Sequence, residues 1–169
     1  MLAVWQWTTF WLILHVLAVI IAFGPTFAFG IIAALGQKEP QHAAFAAKVS
    51  HTIETRLTIP LAVLVPLFGT ALIFSRHYDL WHSEWLLASI GLYTIAFAFA
   101  VLVQNRWSTR MLQLLSSLPP GPPQEGAAPP AEVPALGRKL QMGGIFLSIL
   151  LVAILVLMFW KPGATFTGG

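Results

Sequence analysis

From Phe10 to Leu35, Leu57 to Phe74, Trp85 to Val103 and Met142 to Trp160 the chain carries no Asp, Glu, Lys or Arg. Each stretch is 18 to 26 residues long, and about 20 apolar residues at 1.5 Å rise cross a ~30 Å hydrocarbon core. Inside lipid every backbone N–H and C=O needs an internal partner, so runs of this kind fold as helices. The expectation is an all-α chain: one integral membrane domain over residues 1–169, built as a polytopic four-transmembrane-helix bundle. Composition agrees, with 57% hydrophobic and 9% charged residues against about 25% charged in soluble domains.

The absence of cysteine excludes disulfides, thiolate metal sites and thiol nucleophiles. A pI near 9.7 raises nucleic acid as a partner, but the placement of the basic residues gives a different account. Lys38, Lys48 and Arg56 fall between spans one and two, and Arg106, Arg110, Arg138 and Lys139 between spans three and four. Only Arg76 and Lys161 fall on the other side. By the positive-inside bias both termini are expected outside the cytoplasm, with the lipid bilayer and no nucleic acid as partner. Trp5, Trp7, Trp11, Trp81, Trp85 and Trp160 would form an aromatic belt at that outer face. The first basic residue is Lys38 and the first apolar run exceeds a signal-peptide core, so span one is expected to be retained.

Span one is too long to stand straight: 26 residues rise ~39 Å. Gly24-Pro25 is the natural bend, because proline removes a donor and clashes one turn back. Pro40 suits a helix start. Beyond it Phe45, Val49, Ile53 and Leu57 form one helical stripe, with Lys48, His51, Glu54 and Thr55 opposite. A cytoplasmic helix extension is therefore expected to run unbroken into span two, and "QNRWSTRMLQLLSSL" to extend span three in the same way. Residues 117–136 hold seven of the twelve prolines and read as a Pro-rich cytoplasmic linker. No internal repeat is evident.

His15 is the one imidazole inside a span, about 7–8 Å below the outer edge. It calls for a partner or a function. Depth matching nominates Thr70, Ser89 and Tyr93 as interhelical polar contacts. The alternative is axial ligation of a b-type haem, for which Met158 is the nearest thioether. In the outer loop His77, Asp79 and His82 offer nitrogen and oxygen donors to a metal, although their spacing matches no established motif. His51, three residues from Lys48 and from Glu54, reads as a solvated face with proton transfer as its sharper alternative. Small residues at Gly24, Ala28, Gly30, Gly91, Ala96, Ala98, Ala100, Gly143 and Gly144 permit close helix approach, to one another or to a partner.

The segments "LHVLAVIIAFGPTFAFGI", "ETRLTIPLAVLVPLFGTALIF" and "DLWHSEWLLASIGLY" resemble an uncharacterised family of bacterial integral membrane proteins, a domain of unknown function. The resemblance covers the first three spans and the last. More distantly, the chain is similar to CopD-type copper-resistance proteins and to the membrane-bound protoporphyrinogen oxidase that carries b-type haem. That likeness implies a functional role for the early histidine of span one, here His15. The oxidase also uses a lysine in its third span, where this chain has none. Three function classes follow: a non-catalytic membrane subunit or scaffold working with other subunits or with itself, a haem b redox protein built on His15, and a metal or small-solute transporter.

Overall fold

A computed structural model describes residues 2–76, 80, 82–118 and 130–162, with side chains from Gln6 onward. The first rod consists of α1 (Leu2–Phe23) and α2 (Thr26–Lys38). The second opens with a 3-10 turn at Pro40–His42 and continues through α3 (Ala43–Ile53), a π-helical segment Glu54–Thr58 and α4 (Ile59–Arg76). The third is α5 (Glu84–Phe99), a second π-helical segment Ala100–Gln104 and α6 (Asn105–Ser116); the fourth is α7 (Glu132–Trp160). All four rods are long and apolar enough to cross a membrane, and no strand occurs among the described residues. The second rod, 37 residues, would rise ~55 Å. It therefore outruns the hydrocarbon, and α3 projects past it. The end of the bundle holding the α2–α3 turn and the α6–α7 connection is called the linker end below, and the opposite one the terminal end.

Local chemistry sets the breaks. At Gly24-Pro25 the Gly24 N–H still reaches Ile20 O at 2.9 Å, and α2 restarts at Thr26. A Cβ on Gly24 would stand 2.7 Å from that carbonyl oxygen, so only glycine fits the bend. The fourth rod starts earlier than the proline count suggests. Residues 132–136 of the expected linker are already helical, because Pro134 falls in the first turn, where a missing N–H costs nothing. Residues 119–129 lie outside the described part.

The rods pair as two antiparallel hairpins. In one, α1 packs on α4 and α2 on α3; in the other, α5 and α6 pack on α7. The extensive contacts between hairpins lie at the linker end, α3 on α6 and α2 on α7. Ala18 and Ala22 of α1 meet a face of α4 that buries Ala62 and Val65, and small side chains let the backbones approach. Ile13, Val16, Leu17 and Ile20 cover the opposite face of α1 and are exposed, as a lipid-facing surface requires. Trp85 departs from the belt expectation. It is 6% exposed, with Lys161 Nζ 5.4 Å from its ring centroid. Trp7 and Trp160 stay exposed, while Trp81 and the side chain of Trp5 lie outside the described residues.

Candidate functional site

His15 shares a helical stripe with Ala18 and Ala22, at i+3 and i+7, and this stripe faces α4. Its Nδ1 lies 2.9 Å from the main-chain carbonyl oxygen of Val65. A carbonyl only accepts, so Nδ1 carries the proton and donates, and Nε2 keeps the lone pair. Gly69, one turn along α4, makes room for the ring. A Cβ there would sit 3.2 Å from His15 Cε1 and 3.4 Å from Nδ1.

The neighbouring turn of α4 is opened by Pro66. Proline has no N–H, so the carbonyl four residues back, Ala62, has no α-helical donor. The Tyr93 hydroxyl of α5 donates to that carbonyl. The Tyr93 ring also meets Phe23 edge-on, at 6.3 Å between centroids, which ties α1 into the same layer. His15 and Tyr93 thus hold α4 from two sides, at two main-chain carbonyls in the turn before Pro66.

The other nominated hydroxyls turn inward on their own helices: Thr70 Oγ1 donates to Pro66 O at 2.8 Å and Ser89 Oγ to Trp85 O at 2.7 Å. Met158 stands on α7, in the other hairpin from His15. His82 lies in the connection before α5, and its suggested companions His77 and Asp79 lie outside the described residues. Among the described residues no three His, Cys, Asp or Glu side chains gather as a metal site.

Residues 3–162 match the family described as predicted integral membrane protein (DUF2269). The chain belongs to this family. No curated protein and no solved structure matches it.

A second polar layer of this DUF2269 protein lies at the linker end, and sequence reasoning found only part of it. His51 Nδ1 is 3.3 Å from Ser108 Oγ, joining α3 to α6. Gln104 closes the π-helical segment of the third rod; its Nε2 donates to Leu140 O of α7 at 3.1 Å. The Gln104 side chain occupies the space that a Cβ on Gly143 would need, 2.1 Å from Oε1. Gln104 Oε1, Asn105 Oδ1 and Thr58 Oγ1 are buried without a hydrogen-bond partner among the described residues. All three lie at or beside the two π-helical segments, features that recur at functional sites. The available signal was a glutamine at the end of an apolar run facing a Gly-Gly pair.

Proposed function

We propose that this protein is a non-catalytic membrane subunit contributing helices to a larger assembly in the bacterial cytoplasmic membrane, with both termini outside the cytoplasm. The observation that supports it is where the intramembrane polar groups end. His15, Tyr93, Thr70, Ser89 and Thr94 donate to the main-chain carbonyls of Val65, Ala62, Pro66, Trp85 and Ile90. The first two fasten neighbouring helices and the other three close on their own helix, so the five do not converge on a substrate-sized space. The orientation is supported by seven of the nine basic residues falling at the linker end. The test is gentle solubilisation from the native membrane, followed by native electrophoresis and protein identification. A fixed stoichiometry with a second membrane protein is the expected result; a lone chain carrying its own chromophore overturns the reading.

A second reading, ligation of haem b, is favoured by one observation. With Nδ1–H donating to Val65 O, Nε2 holds an unshared pair, the arrangement of a histidine that ligates through Nε2. No other histidine lies in an apolar stretch, so this chain alone would supply one axial ligand. A haem so held supplies one-electron redox chemistry. Its mark is a Soret band in the purified protein that disappears on His15→Asn.

A further inference from the structure

The linker end of the second hairpin carries a cleft of about 800 Å³ between the third and fourth rods. Phe99 and Trp107 form one wall, and Arg138, Lys139, Met142 and Phe146 of α7 the other. The walls are graded in the same sense. On α7 the cations come first, Met142 follows a turn deeper, and Phe146 lies ~12 Å below Arg138. On the antiparallel third rod Trp107 lies toward the charged mouth and Phe99 toward the floor, where its ring meets Phe146 at 5.0 Å.

Charge gives the cleft a sign. Glu132 is the one acidic residue of α7, and Arg110 holds it at 3.0 Å. Among the described residues no carboxylate lines the cleft. Arg138 and Lys139 stand at its mouth with no described residue of opposite sign in the lining, above an aromatic and thioether floor. A molecule that complements this gradient has an anionic head and an apolar tail. We infer that the cleft binds one anionic phospholipid, its phosphate held by Arg138 and Lys139 and the upper part of an acyl chain laid over Met142, Phe99 and Phe146. Basic pockets between transmembrane helices hold anionic headgroups by the same physics.

The test uses the full chain in detergent micelles doped with equal phosphatidylglycerol and phosphatidylcholine, with retained lipid counted by native mass spectrometry. One phosphatidylglycerol per chain is expected, preferred by about twentyfold or more for two cations, with Arg138→Gln and Lys139→Gln each lowering the preference about fivefold. Met142→Trp fills the floor and is expected to release the lipid with both cations in place. Arg106→Gln, at the same end but outside the lining, is expected to change nothing. Equal retention of the two lipids by the unaltered chain overturns the proposal without recourse to any variant. So does an equal loss in Arg106→Gln, which marks general surface attraction. Displacement by millimolar inorganic phosphate overturns it as well, since the site would then read a free phosphate and not a lipid.

Discussion

The Tyr93 hydroxyl donates to the carbonyl of Ala62, the acceptor that Pro66 deprives of its helical N–H. One helix thus completes the hydrogen bonding of another at the turn where the latter is broken. Tyr93→Phe leaves a carbonyl unpaired at a residue that is 5% exposed, at an expected cost of about 1–2 kcal/mol. Pro66→Ala restores the N–H, so the same Tyr93→Phe change in that background should cost much less. A double-mutant cycle on reversible unfolding in mixed micelles measures the difference; equal costs in both backgrounds would show that the hydroxyl does not serve this carbonyl.

His15 can be divided into two functions by isosteres. Asparagine places a donor near the position of Nδ1, while alanine removes both ring nitrogens. With Nδ1 bonded to Val65 O, His15→Ala is expected to lose about 1 kcal/mol of stability and His15→Asn clearly less, both inserting normally. Gly69→Leu should mimic the alanine variant, because the ring already lies within van der Waals reach of a Cβ at that site. Thermal melts of the three proteins beside their absorbance spectra decide the matter. A chromophore lost in a stable His15→Asn protein assigns Nε2 a ligand role beyond the pin.

Gly143 and Gly144 are adjacent and should respond in opposite ways. A Cβ on Gly143 would stand 2.1 Å from Gln104 Oε1 and 3.3 Å from Phe99 Cε1, whereas one on Gly144 meets nothing within 4 Å. Gly143→Ala is expected to destabilise by about 1–3 kcal/mol through displaced side chains. Gly144→Ala should be neutral or stabilising by up to about 1 kcal/mol, from helix propensity. Adding Gln104→Ala to Gly143→Ala removes the collision and should recover part of the loss. Melting temperatures of the four proteins check the order; equal effects at 143 and 144 would refute the close approach.

The spans, the Gly24-Pro25 bend and the helix start after Pro40 were legible because each rests on a property of residue type: apolar run length, a missing donor, a fixed φ. The partner of His15 was not legible in that way. It is a main-chain carbonyl, which every residue possesses, so matching side chains by depth led to Thr70 and Ser89 while the acceptor lay on Val65. Tyr93 was nominated for depth and is tied to Ala62, whose carbonyl is free because Pro66 has no N–H to give it. Trp85 shows the opposite error. Its residue type suits a membrane interface, yet packing beneath Lys161 buries it, and a local pattern carries no record of which helix covers it. The π-helical segments have no compositional mark at all.

Those two segments, Glu54–Thr58 and Ala100–Gln104, make the chain unevenly sensitive to changes in its length. A π turn carries one residue more than an α turn. Deleting one residue within it leaves an ordinary helix whose faces stay in phase on both sides. The same deletion outside the two segments, among Ala62–Val65 of the second rod or Leu86–Ser89 of the third, turns everything beyond it by ~100° and swaps the lipid face for the packed one. Single-codon deletions scanned along the second and third rods, scored for membrane accumulation, should therefore be tolerated in two narrow windows and rejected elsewhere in the spans. Where the helices are widest wound, the gene has room to lose a codon.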